Sequence, residues 1–209
     1  MFTKIYKMFI IAMMFALVIG LSNSNIINAQ SSGITITNTS KISKTSLYPV
    51  YTLSPVAGAI FPMSELGNTY AAGFNGGLDL GVRMNRELSL YTKFGYYSLT
   101  NNTPTAPTSS YIEISAGPRY NFTDPKLKSI FFMEAGVGAY IFSQDAYTEG
   151  TQTFEKISNT NIGMNVGPGV ALQLSKSIDV ILKSKYHMIF NDGGTRSFIN
   201  ALGGLEFKF

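Results

Sequence analysis

The chain has 209 residues but no cysteine, one histidine and few charges. Without thiols it forms no disulfides, and no lipid-modified cysteine can head a mature amino-terminus. One histidine, with no clustered carboxylates, leaves nothing at metal-ligand spacing, so neither a metal nor another cofactor is expected. Charged residues are 13% of the chain, against about 25% in typical soluble domains, while 45% are hydrophobic. A surface so poor in charge must be covered in part by something apolar. The formal charge is +4; without Lys4 and Lys7, 14 basic residues face 12 acidic ones, leaving +2. That excess is too small and too scattered for a nucleic-acid partner. Helical periodicity is also missing: after residue 47 the hydrophobic period is two, not 3.6.

The amino-terminal segment reads differently. Lys4 and Lys7 precede an apolar run over 8–21, followed by a polar stretch with Ala29 in a cleavage position. The run is shorter than the roughly 20 residues of a membrane-spanning helix, so residues 1–29 read as an export signal. Residues 30–47 are rich in Ser, Thr, Asn and Lys and read as a flexible leader. Ile34 and Ile36 alternate with threonines there, which keeps a short strand open as a competing reading.

Residues 48–209 read as all-β. Alternation and turn chemistry mark eight strands, at 51–61, 74–84, 88–98, 111–122, 130–142, 161–174, 178–190 and 198–209. Their lengths suit tilted membrane-crossing strands, and an even count puts both ends on one side. Connectors after strands two, four and six are shorter than those after one, three and five, with the connector at 191–197 intermediate. Short turns on one rim and long loops on the other characterise outer-membrane barrels.

Side chains split by face. In strand six, Ile162, Met164, Val166, Val170 and Leu172 share one side, against Asn161, Gly163, Asn165 and Gln173. Alternation alone does not say which side is inside, because a soluble barrel buries the apolar face. Aromatic residues near strand ends favour lipid outside: Tyr120, Phe122, Phe131, Phe207 and Phe209 for one girdle, Phe74, Tyr96 and Phe190 for the other. The parity of strand one, through SPVAGAIF, is ambiguous. Gly117 and Pro118, and likewise Gly167 and Pro168, predict local bends, with both prolines on the outward face.

The alternating strands, the tight-turn segments NRE and SKS and the ending LGGLEFKF resemble the small eight-stranded outer-membrane barrels, of the OmpA-transmembrane and OmpX type. The resemblance implies an antiparallel up-and-down transmembrane β-barrel in the bacterial outer membrane. It also implies outer-membrane lipid and the outer-membrane assembly machinery as partners, the latter reading Phe209 as its signal.

The predicted interior carries Asp79, Glu113, Glu134, Asp179 and Glu206 against Arg83, Lys93, Arg119, Lys183, Lys185 and Lys208. Adjacent-strand geometry pairs Asp79 with Lys93, Arg119 with Glu134 and Lys183 with Glu206. Such groups form either a salt-bridged plug or, if pairs open, an ion path. Eight strands leave a lumen that side chains roughly fill, which argues against a wide pore and leaves a narrow channel as the alternative. His187 is predicted inward, opposite Asn165. A lipid-modifying enzyme needs a base facing lipid beside an activated nucleophile, so no catalytic residue is expected. The outer loops at 100–110 and 143–160 are left as the surface for an unidentified ligand.

Overall fold

In a computed structural model, residues 48–103, 106–122 and 129–209 are described; the export signal and the leader lie outside them. Eight strands close into one antiparallel barrel: β1 (Val50–Met63), β2 (Gly73–Arg83), β3 (Leu88–Leu99), β4 (Ser109–Phe122), β5 (Ser129–Gln144), β8 (Ile157–Gln173), β9 (Ile178–Asn191) and β10 (Gly194–Lys208). Each pairs with its neighbour along the chain, and β1 closes the ring on β10, from Thr52 opposite Lys208 to Met63 opposite Ser197. Two short strands, β6 (Tyr147–Glu149) and β7 (Gln152–Phe154), make a separate hairpin between β5 and β8.

The tight turns are built as their residues dictate. Asn85 Oδ1 accepts from the amides of Glu87 (2.9 Å) and Leu88 (2.7 Å), and Ser175 Oγ accepts from Ser177 N at 3.2 Å. These side-chain bonds add to the backbone bonds that close each turn, from Met84 N to Leu88 O and from Leu174 N to Ile178 O, both 3.0 Å. The opposite rim departs from expectation in three ways. First, the loop after β1 contains a short helix, α1 (Ser64–Thr69), which buries Leu66. Second, β5 and β8 run further than their alternation indicated, shortening the loop between them to 145–156. Third, the last connector is only Asp192 and Gly193, because Gly194 adopts φ 139° and lets β10 start at once.

The polar face is inside and the apolar face outside. Asp79, Lys93, Glu113, Glu134 and Lys185 are at most 2% exposed, whereas Phe74, Leu80, Phe94, Phe131, Val137, Val166 and Leu182 are outward and exposed. A continuous apolar exterior of this kind is stable against hydrocarbon, not water. Of the aromatic side chains expected at the two rims, Tyr120, Phe122, Phe131 and Phe209 are exposed at one end and Phe74, Tyr96 and Phe190 at the other, while Phe207 is half-buried. The parity of β1 is resolved by Ser54, Val56 and Ile60, which are buried while Tyr51, Pro55, Ala57 and Phe61 face out.

Neither proline is accompanied by a bulge. At Pro118 the ladder between β4 and β5 loses two pairs and resumes in the same register, from Ala116 opposite Val137 to Arg119 opposite Glu134. At Pro168 the β8–β9 ladder behaves alike, from Val166 opposite Tyr186 to Gly169 opposite Lys183. No residue is inserted, so the prolines only remove donors. The preceding glycines make this workable: a Cβ at Gly117 would collide with the Ala135 carbonyl, and one at Gly167 with the Ser184 carbonyl. Gly117→Ala and Gly167→Ala are each expected to lose about 1–3 kcal/mol, the usual cost of overpacking. Gly193→Ala, with open space around it, should stay within about 0.5 kcal/mol. Urea midpoints of the refolded protein compare the three.

Candidate functional site in the barrel interior and at its rims

The lumen is layered. Nearest the short turns, Arg119 bridges two carboxylates, with Nη2 at 2.7 Å from Glu134 and Nη1 at 2.6 Å from Glu206. Glu206 also takes Arg83 at 3.3 Å, and Lys208 holds Asp179 at 2.7 Å. One level up, Glu134 collects Lys183 (3.2 Å) and Lys185 (2.6 Å), while Asp79 takes Lys183 and, at 3.5 Å, Lys93. Every charged residue predicted for the interior is therefore in it, and Asp79–Lys93 and Arg119–Glu134 pair as expected.

The third expected pair is wrong. Lys183 stands opposite Leu202, and Glu206 opposite Asp179, so the two sit at different heights. Lys183 instead reaches Asp79 on β2 and Glu134 on β5, neither of them a neighbouring strand. Cross-strand rules apply between neighbours, but a narrow lumen lets long side chains meet across it, and those contacts have no sequence periodicity.

Above the ion pairs lies a neutral ring around Glu113. Its carboxylate accepts from Tyr97, from Tyr140 (3.2 Å), from Ser115 (2.6 Å) and from Asn165 (3.0 Å). Lys185 links the two layers, donating to Tyr91 OH at 3.0 Å and lying over its ring at 4.1 Å. Tyr91 and Tyr97 share the inward parity of Lys93 on β3, and Tyr140 that of Glu134 on β5, which is the signal by which they could have been found. Glu113 has no cation within 4.0 Å among the described residues, and four hydrogen bonds take the place of a salt bridge.

The half of the lumen nearer the long loops is not polar, contrary to expectation. Tyr97, Tyr111, Phe142, Ile189 and Phe198 fill it, with Tyr111 and Phe142 rings 5.0 Å apart and Tyr97 and Phe198 5.1 Å apart. Leu66 of α1 packs into the same cluster. His187 lies at its base, stacked 4.4 Å from Phe198, with Nδ1 3.0 Å from Tyr140 OH. It is wholly buried and faces the lumen. The aromatic layer and the ion-pair layer fill successive levels of the lumen among the described residues.

At the long-loop rim, β8 runs on beyond the end of its ladder with β9. Residues 157–161 of β8 pair with β5 but not with β9, whose ladder begins at Ile162 opposite Phe190. Because Pro168 loses its pairs on the β9 side, even-numbered backbone groups of β8 point that way. Ser158 and Thr160 thus carry N–H and C=O groups on an edge without a partner strand among the described residues. The connector between β5 and β8 carries the β6–β7 hairpin, with Tyr147 and Phe154 rings stacked at 4.7 Å and 11°.

Among solved structures, the chain is similar to Neisserial surface protein A, at 22% identity and a TM-score of 0.59, covering 77% of this chain and 97% of that one. It is also similar to a major outer membrane protein from Thermus thermophilus, at 15% identity and 0.55, covering 76% and 99%. The third is the outer membrane protein OprG from Pseudomonas aeruginosa, at 9% identity and 0.53, covering 77% and 96%. No family model and no curated protein matches the sequence. The chain has the fold of the small eight-stranded outer-membrane β-barrels.

Proposed function

We propose that this chain, built on the fold of the small outer-membrane barrels, is a non-enzymatic outer-membrane protein that presents an interaction surface at its long-loop rim. The observation that carries this reading is the free edge of β8 at 157–161, which follows directly on the connector that holds the stacked Tyr147–Phe154 hairpin. An unpaired edge on a rigid wall is a template for an extended peptide, which adds as a further strand through main-chain hydrogen bonds. Outer-membrane lipid is the partner along the belt, and by family resemblance Phe209 is the residue that the assembly machinery reads.

The other readings fit less well. A channel needs the ion pairs and the aromatic layer to separate together. Lipid modification needs a base at the lipid face, and His187 lies buried between Tyr140 and Phe198.

Nanodisc-embedded protein panned against a displayed peptide library tests the surface. Enriched peptides are expected to bind through main chain, and Thr160→Pro, which removes an edge donor, should abolish their binding while heat-modifiable gel migration is retained. Equal binding to the Thr160→Pro protein, or no enrichment over empty nanodiscs, would sink the idea.

A further inference from the structure

We propose that a groove across the outside of β8, β9 and β10 is a binding site for one acyl chain of a phospholipid in the short-turn leaflet. The groove has a volume of about 590 Å³, within the range of small-molecule sites. Its floor is a row of small outward residues on three neighbouring strands. Ser184 stands opposite Ala201, and Pro168 falls in the gap of the β8–β9 ladder, between Val166 opposite Tyr186 and Gly169 opposite Lys183. The next row towards the short turns runs Phe131, Val170, Leu182 and Gly203, each opposite the next. Phe131 and Leu182 project from the wall, 55% and 50% exposed, and bound the floor on that side, whereas Gly203 projects nothing and leaves the row open at β10.

Nothing on the groove calls for a polar ligand. Its one side-chain hydroxyl, Ser184 Oγ, donates to the Asn200 carbonyl at 2.7 Å. Lys183 lines the floor with backbone alone, because its ammonium is inside the barrel on Asp79 and Glu134. The groove opens on the apolar belt, where the surrounding medium is hydrocarbon. Lipid tails are as apolar as the wall, so a chain is held there by dispersion contacts and not by exclusion from water. A chain in the groove has protein beneath it and on the flank formed by Phe131 and Leu182, where one against a flat wall has protein beneath it only. A second copy of this chain is a poorer occupant, since a two-fold contact sets each groove against its own copy and two hollows leave the space unfilled. Phe131 belongs to the short-turn girdle, which assigns the chain to a lipid of that leaflet. The site rests on outer-membrane lipid being the partner along the belt and is independent of the β8 edge at 157–161.

The test embeds the full chain in phosphatidylcholine nanodiscs that contain a small fraction of phosphatidylcholine with a mid-chain nitroxide, and follows methyl signals by NMR. Val170, Leu182 and Ala201 report on the groove, and Leu80, Leu90 and Val137, outward elsewhere on the wall, report on bulk lipid. Paramagnetic broadening of the groove methyls is expected to exceed that of the reference methyls about threefold, the effect of several extra atom contacts on the chain. Ala201→Phe, which fills the floor, should equalise the two sets. Gly203→Leu does the same by a second route, since a Cβ there meets Leu182 Cδ2 at 3.5 Å, an ordinary contact. Equal broadening of both sets in the unaltered protein leaves the wall in lipid and removes the site. Groove methyls shielded from the label would put a second copy over them and overturn the proposal, as would an excess that survives both variants. Reference methyls that escape broadening altogether would take away the lipid-facing wall, and this site with it.

Discussion

Glu134→Gln is expected to cost about 3–5 kcal/mol of folding stability, the penalty for stripping a buried ion pair of one partner. The upper end is the better expectation here, because Glu134 neutralises three cations: Arg119 at 2.7 Å, Lys183 at 3.2 Å and Lys185 at 2.6 Å. Asp79 is left as the nearby acid for Lys183, and Glu206 must serve Arg119 and Arg83 alone. The amide keeps the volume of the side chain, so the loss is electrostatic and not a cavity effect. Removing a cation as well, in Glu134→Gln with Lys185→Met, should recover part of it, since neighbouring sites in one network are not additive. Urea-induced unfolding in phospholipid vesicles measures both. A loss below about 1 kcal/mol would mean that the network is hydrated and its pairs are individually dispensable. The narrow-channel reading would then gain, and single-channel recording of the variant would be the next measurement.

Much of this architecture was legible because a period of two carries most of the information in a barrel. Alternation located all eight barrel strands and put Asp79, Glu113, Glu134 and Lys185 on the inner wall, where they are. It also placed His187 opposite Asn165, as the β8–β9 register has it. What it could not carry was any relation between strands that do not touch. Lys183 finds Asp79 across the lumen, and the height at which Glu206 stops is fixed by closure of β10 on β9 and β1. The aromatic layer was hidden for a different reason. Tyr97, Tyr111, Phe142 and Phe198 lie on the inward parity near strand ends, where an aromatic residue is also what a lipid girdle requires. Only the α1 helix, whose Leu66 packs into that cluster, reveals that this end of the lumen is filled by protein. Loops such as 145–156 have no hydrophobic repeat to read, and a hairpin as short as β6–β7 is set mainly by its stacked rings.

The outward face gives the other large effect. Val166 lies midway along β8 between Ile162, which is level with Phe190, and Val170, which is level with Phe131. It is four residues, or about 13 Å of strand, from either aromatic girdle. Its outward neighbours are Ala135 and Tyr186, and no acid lies on this part of the wall. Val166→Arg is therefore expected to cost about 2–4 kcal/mol in a bilayer, the depth-dependent penalty for a cation near the midplane of a barrel exterior. Moving the same arginine to Leu172 or Leu174, nearer the short-turn rim, should reduce the penalty to about 0–1 kcal/mol. That gradient is the discriminating feature. A water-facing position as open as Val166, which is 46% exposed, would accept arginine within about 0.5 kcal/mol at any height. Refolding equilibria into phospholipid vesicles, measured for the variants side by side, read the gradient directly. A flat profile would place the apolar wall against something other than hydrocarbon, such as a protein partner. A steep one, with its maximum at Val166, fixes the bilayer midplane at the level of the upper ion pairs, where Asn165 and Lys185 meet inside the wall.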